Sequence, residues 1–338
     1  MDPALSGVSA FAYLCQETLT GEINRQRSTL FINYPEYKPL SQSFGCPEIY
    51  ESKRIHISLK GISEAAFSQV SINNSRKTFY PAHEGVIVAL DVAKDSEQDI
   101  EVIAVRYQTG DLKADKISYQ RFKPEQLPEM IEVDFLKASD TQEYRIYYEP
   151  QAGQQYLSIS VSITTDLNSI RVNQAKDEFV NQSISYGAVT GFKYQILASS
   201  LLEGNIENTV LMTLAEPQTT KILFSDTLGI GSMYQQRDQL GFFWTPYPQV
   251  QSYELSLGQL DNAKERRMKV AFSDLSYIST SSNYLNYTLP TFSGLANWNS
   301  DWNIDKNSDI FWRIEAKTIP HPNLILSTAR YGRFETSR

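Results

Sequence analysis

Cysteine and histidine are scarce: the 338 residues include two cysteines, Cys15 and Cys46, and three histidines, His56, His83 and His321. The histidines lie in an alternating stretch, a Pro-Ala-His-Glu turn and a Pro-His-Pro loop, so no two have metal-ligand spacing. There is no HExxH, no Gly-x-Ser-x-Gly elbow and no Walker loop, and the "GIGS" at 229–232 lacks the third glycine of a dinucleotide site. These absences leave no motif-borne chemistry and call for no cofactor. No run of 18 apolar residues occurs, which excludes an ordinary membrane-spanning helix. Positive charge is also short, with 31 Lys and Arg against 39 Asp and Glu, a net charge of −8 and a pI near 5.1. With no basic stripe to offset that acidity, a phosphate backbone is repelled, and nucleic acid is not an expected partner.

What is abundant is the material of β-sheets. The chain holds 20 Tyr and 16 Phe and is 41% hydrophobic, a composition that suits pleated, half-buried surfaces. Its length exceeds one ordinary sandwich and fits two or three domains of roughly 100 residues each. Proline-bearing stretches at 123–128 and after Ala215 read as linkers, dividing the chain into 1–125, 126–216 and 217–338. No close internal repeat relates the thirds.

In the first third, "AFAYLCQETL" carries a helix-like pattern, followed by strand candidates at 55–59, 85–92 and 100–107. Intervals of 10 to 20 residues between them leave no room for the helices of βαβ units. In the middle third, Leu157, Ile159, Val161 and Ile163 alternate strictly with Ser158, Ser160, Ser162 and Thr164, one greasy face and one wet. Phe192, Tyr194 and Ile196 repeat the alternation, and 209–214 reads as a closing strand. The expected fold is all-β, a tandem of antiparallel β-sandwiches.

The last third carries a resemblance. Trp244, Pro246 and the alternating Tyr253, Leu255 and Leu257 are similar to the B and C strands of fibronectin type III domains. Tyr287, Leu289 and Leu295 resemble the E strand and E–F corner, and "IFWRIEAKT", with Trp312, Ile314 and Ala316 in register, resembles strand F. The resemblance covers about the last 100 residues. Ile310 stands where the family has the tyrosine of the corner, so that hydrogen bond has to be absent or remade. The segment 262–272, "NAKERRMKVAF", is more charged and helix-like than a usual C–C′ connection. By rhythm alone, the first two thirds resemble the immunoglobulin-like modules of bacterial envelope proteins.

Several constellations are candidates for a site. Asp301, Asn303, Asp305, Asn307 and Asp309 place oxygen ligands at every second residue, as an EF-hand loop does. Lys306 stands where that loop needs glycine and Trp312 where it needs a bidentate Glu, so an ordinary polar loop is the expectation and a metal site is not. Trp298 and Trp302 flank the same loop and could stack on a sugar ring or a partner's apolar patch. Cys15 and Cys46 would close a loop of about 30 residues if oxidised, worth ~3–4 kcal/mol in the chain-entropy model; two reduced thiols are the alternative. A glycoside-active enzyme would need only two suitably spaced carboxylates, which so many acids do not exclude. The string Leu5-Ser6-Gly7-Val8 is similar to a bacterial lipobox with Val in the place of the lipidated Cys. Together these point to a non-catalytic extracytoplasmic interaction or scaffold protein, in the periplasm, outer membrane or cell surface. It would bind another protein or an envelope component and meet the membrane only through a lipid anchor. Carbohydrate binding through Trp298 and Trp302, with polysaccharide as partner, is the runner-up.

Overall fold

A computed structural model describes residues 10–19, 22–32, 52–62, 65–73, 75–79, 87–93, 99–108, 113–176, 183–236, 239–261, 264–272, 278–281, 283–289, 304 and 309–335. An N-terminal hairpin pairs β1 (Ala10–Leu19) with β2 (Glu22–Ile32). A first unit follows with β3 (Ser52–Lys60), β4 (Ala65–Ile72), β5 (Ser75–Phe79), β6 (Ile87–Ala93), β7 (Ile100–Gln108), β8 (Ala114–Phe122), β9 (Met130–Asp134) and the short β10 (Ser139–Asp140). The second unit has β11 (Gln142–Tyr148), β12 (Gln154–Thr164), β13 (Ser169–Lys176), β14 (Ser183–Ala188), β15 (Lys193–Leu202), β16 (Ile206–Leu214) and β17 (Thr220–Ile222). The third has β18 (Gly231–Gln236), β19 (Gln239–Trp244), β20 (Ser252–Asp261), β21 (Lys264–Phe272), β22 (Ser279–Ser281), β23 (Tyr284–Thr288), β24 (Ile310–His321) and β25 (Leu324–Phe334).

One arrangement occurs three times. The orders β5-β4-β7-β8, β13-β12-β15-β16 and β21-β20-β24-β25 are equivalent, and each packs on a second sheet of three or four strands: β6-β3-β9, β14-β11-β17 and β18-β19-β23-β22. Three apolar cores lie between these layers, built from the inward member of each alternating pair. The chain is thus an all-β tandem of sandwiches whose relatedness is one of shape. Among the described residues the sole helical element is a 3₁₀ turn at Pro124–Gln126.

Three local expectations change. "AFAYLCQETL" is strand β1 rather than a helix, and the charged segment at 262–272 contains strand β21. Ala, Glu, Lys, Arg and Met favour helices intrinsically, but β21 buries Met268 and Val270 in the third core and pairs on both sides, which overrides propensity. The stretches read as linkers are docked. Leu127 is buried in the first core, and just beyond it β9 runs parallel to β3. After Ala215, β17 runs parallel to β11 and buries Ile222 completely.

The units are joined by two different devices. Between the first and second, β7 is buried on both faces: Val102 and Ala104 enter the first core, while Ile103, Val105 and Tyr107 enter the second. At the rim of this contact Asn168 is almost fully buried. Its Nδ2 donates to the carbonyls of Ser71 (3.0 Å) and Glu101 (2.9 Å), and its Oδ1 accepts from Ser71 Oγ at 2.6 Å. The buried Glu101 carboxylate accepts from the Thr165 and Tyr119 hydroxyls, the latter at 3.0 Å. A side chain at Gly187 would collide with the Ala114 carbonyl, so glycine is required for this close approach. Between the second and third units, β16 pairs antiparallel with β25 from Ile206↔Arg330 to Met212↔Leu324. Together with the N-terminal hairpin, which adds β2 to β21, this makes one ten-stranded sheet, β1-β2-β21-β20-β24-β25-β16-β15-β12-β13, that runs across residue 216.

The second unit holds a corner hydrogen bond of the kind that the buried Ile310 does not supply in the third. Tyr194, at the start of β15, donates its hydroxyl to the Val189 carbonyl and accepts from the Val189 N–H, both at 2.9 Å. This is the tyrosine corner of Greek-key sandwiches. In the third unit, where Ile310 is buried instead, the Tyr253 hydroxyl accepts the Tyr247 N–H at 2.7 Å.

Two outcomes are expected. Asn168→Ala strands buried carbonyl and hydroxyl groups and should cost about 1–3 kcal/mol in chemical denaturation, with amide exchange rising first at β4 and β13. Burial raises the phenol pKa of Tyr194, and that of Tyr186 to about 12, above the usual 10.0. Between pH 10 and 12 the unfolded chain therefore loses protons that the folded chain keeps, so stability is full below pH 10 and falls above it. Tyr194→Phe should flatten that alkaline slope; an unchanged slope would refute the assignment.

Candidate functional site

The outer face of the third unit's larger sheet follows from strand alternation. Tyr253, Leu255 and Leu257 of β20 and Trp312, Ile314 and Ala316 of β24 fill the core. Their neighbours Glu254, Ser256 and Gly258, and Phe311, Arg313, Glu315 and Lys317, therefore line the opposite face. Glu254 lies directly across from Glu315, a pairing that would be repulsive by itself.

A ladder of ion pairs neutralises it. Lys269 Nζ is 3.3 Å from Glu254 Oε1, and Lys317 Nζ lies 3.2 Å from Glu254 Oε2 and 3.5 Å from Glu315 Oε2. Arg313 Nη2 is 3.7 Å from Glu315 Oε1 and 3.2 Å from Glu207 Oε2 on β16, whose Oε1 accepts from Ser199 Oγ at 2.7 Å. Arg313 reaches across β25 because the residue opposite both Glu315 and Glu207 there is Ala329, fully buried beneath the charged side chains. The ladder thus spans the junction of the second and third units. Burial pushes the Glu254 carboxyl upward, but Lys317 and Lys269 outweigh it and hold the pKa below the ordinary range. Burial likewise lowers the Lys317 ammonium, and Glu315 and Glu254 more than compensate, so its pKa is raised.

Beside the ladder lies a shallow cavity of about 290 Å³, lined by Glu254, Ser256, Gly258, Lys269, Phe311 and Arg313. Gly258 pairs directly with Phe311, and a Cβ at Gly258 would meet nothing within 4 Å, so the glycine is a floor with open space above it. Phe311 is 55% exposed and forms an aromatic wall. An aromatic wall, a flat floor and a rim of donors and acceptors suit a ring with one apolar face and a polar edge, or a partner's side chain. A carboxyl held below its normal range, as in Glu254, is the reverse of what a general acid needs.

Trp298, Trp302, Asp301, Asn303, Asp305 and Asn307 are outside the described residues, as are Val8, His83, Cys46 and the side chain of Cys15. Asp309, at the foot of β24, is ion-paired with Arg333. His56 is exposed on β3, and Nδ1 of His321 accepts the Asn323 N–H at 3.3 Å. Among the described residues no three His, Cys, Asp or Glu side chains gather as metal ligands. Trp244 is fully buried and meets Tyr253 edge-on with centroids 5.3 Å apart, while Trp312 covers Gly332, so both pack the third core. The charged ladder and the polar lining of the cavity carry no motif in the sequence, because their residues are ordinary outward members of alternating strands, while Leu257 and Trp312, which also border the cavity, are core residues. Only Gly258 in mid-strand, a place where close backbone approach or a gap is expected, signals them in the sequence.

The ladder sets a pH window. The Glu254 contribution is present above the usual carboxylate pKa of 4.5 and fades as pH falls through its lowered folded value. The Lys317 contribution is present below 10.5 and fades as pH rises through its raised value. Lys317→Met should destabilise by about 1 kcal/mol once solvent screening is allowed for, and adding Glu315→Gln should restore part of it. A double-variant loss equal to the sum of the Lys317→Met and Glu315→Gln losses would show that the pair is not coupled. Compared with protein-family models and with curated protein sequences, the chain matches none.

Proposed function

We propose that the chain is a non-catalytic, extracytoplasmic interaction or scaffold protein that holds a binding face in a fixed position along a row of sandwiches. The observation that carries this reading is that both junctions between units are buried and directional: a polar clamp around Asn168 and Glu101, and a continuous backbone ladder from β16 to β25. Flexible tethering needs neither; holding a surface at a set distance and angle needs both. The fibronectin type III reading of the last third draws support from the strand order. The proposed B, C, E and F strands fall on β19, β20, β23 and β24, with β18 beside β19 and β25 beside β24. The tyrosine corner supports an immunoglobulin-like reading of the middle unit. The partner is another protein or an envelope component.

Fractionation of the source cells tests the location, and a photo-crosslinking residue in place of Phe311 tests the face. One defined envelope protein should be trapped there and not from the same group placed at the exposed Leu136 of the first unit. Recovery of the protein from the cytosol, or identical trapping from both positions, would sink the proposal.

The cavity beside Phe311 favours a second reading, carbohydrate binding, in which this face acts in addition to Trp298 and Trp302. An added Cβ at Gly258 meets nothing within 4 Å and valine suits a strand, so Gly258→Val should change the melting temperature little while abolishing signals on a glycan array. Phe311→Ala should weaken such binding by roughly 10-fold or more, the loss of one aromatic platform. Glycan signals indifferent to both changes would exclude this face.

A further inference from the structure

The N-terminal hairpin occupies an unexpected place. β2 leaves its own neighbourhood in the chain and pairs in parallel with β21 of the third unit, Gln26↔Lys264 through Ile32↔Val270. Among the described residues β2 meets only β1 on its other side, so there the hairpin is held in the sheet through a single strand. A two-stranded hairpin is marginal by itself in water and needs such an edge. The β21 sequence, Lys264-Glu265-Arg266-Arg267-Met268-Lys269, is that of a guarded edge. Lysine and arginine recur along it as they do where a strand must resist unwanted pairing, yet here the strand lies inside a ten-stranded sheet.

These two facts fit together if the edge is at times uncovered. We propose that residues 10–32 are an exchangeable strand donor, and that the edge of β21 accepts the same hairpin from a second copy of this chain. The occupant follows from the pairing itself, since a second copy's hairpin offers β21 the identical register and hydrogen bonds. Closed and exchanged forms therefore differ only in which chain supplies the hairpin, and concentration sets the balance. Donor and acceptor are different surfaces, so the contact is heterologous. Reciprocal exchange closes a dimer, and one-way exchange builds an open head-to-tail row. The charges on β21 discourage casual strands, while the hairpin supplies a defined one. This self-assembly does not depend on the location or partner proposed above.

The test uses the full chain with Cys15 and Cys46 replaced by Ser. Ser28 and Arg266 are register partners, so Ser28→Cys with Arg266→Cys in one chain should oxidise to an internal disulfide. Separate chains bearing Ser28→Cys alone and Arg266→Cys alone, mixed and incubated before oxidation, should yield a covalent heterodimer whose fraction rises with protein concentration. A second measurement leaves the native cysteines in place. A photo-crosslinking residue at position 28 of one chain is mixed with isotopically heavy chain, and light-to-heavy cross-links should map to 264–272. An internal disulfide with no heterodimer and no light-to-heavy cross-link at any concentration would overturn exchange. Failure of the internal disulfide together with cross-links outside 264–272 would overturn the seating of the hairpin itself.

Discussion

Backbone hydrogen bonding at sheet edges is the constraint on which this architecture depends. A sandwich of short antiparallel sheets ends in strands whose N–H and C=O groups point at nothing, and such edges either attract foreign strands or must be covered. Here the covering is internal. β9 lies along β3, β17 along β11, β25 along β16 and β2 along β21. Each of these pairings uses a segment that arrives from another part of the chain. Two of these pairings complete a sheet within one sandwich, while β25 on β16 joins the second sandwich to the third and β2 on β21 ties the N-terminal hairpin to the third.

The second feature of the molecule is that buried polar groups, beside the shared apolar strand β7, define how units meet. Asn168 and Glu101 are nearly fully buried at the first junction, and their satisfaction requires donors and acceptors from both units in one geometry. A purely apolar contact would tolerate sliding; a buried amide bonded to Ser71 and Glu101 across the contact does not. At the second junction the ladder through Arg313 and Glu207 works alongside the backbone pairing of β16 and β25, and buried Ala329 lets the guanidinium cross between them. Alternation in strands that each unit needs for its own core thus also creates the outer charged face, so fold and candidate surface share one origin.

Much of this was legible in the residues. Alternation in 157–164 and 192–196, the aromatic and β-branched richness, and the near-continuous apolar run in β7 followed from the period of a strand and required no knowledge of neighbours. The core positions of Trp244 and Trp312 were expected from the resemblance of their segments to fibronectin type III strands, and both are buried. What tertiary structure decided was everything that depends on which strands meet. β1 and β21 carry helix-favouring residues and became strands because each has strand partners, β2 for β1 and both β20 and β2 for β21. The tyrosine corner fell on Tyr194, although the sequence comparison directed attention to Ile310, because the corner is set by the approach of Val189 to the ring hydroxyl. The Glu254–Lys317–Glu315 ladder and the gap above Gly258 exist only where two strands bring alternate residues side by side. Local sequence determines which face of a strand is wet, but partner and register are long-range choices, settled by burial and hydrogen bonding across hundreds of residues.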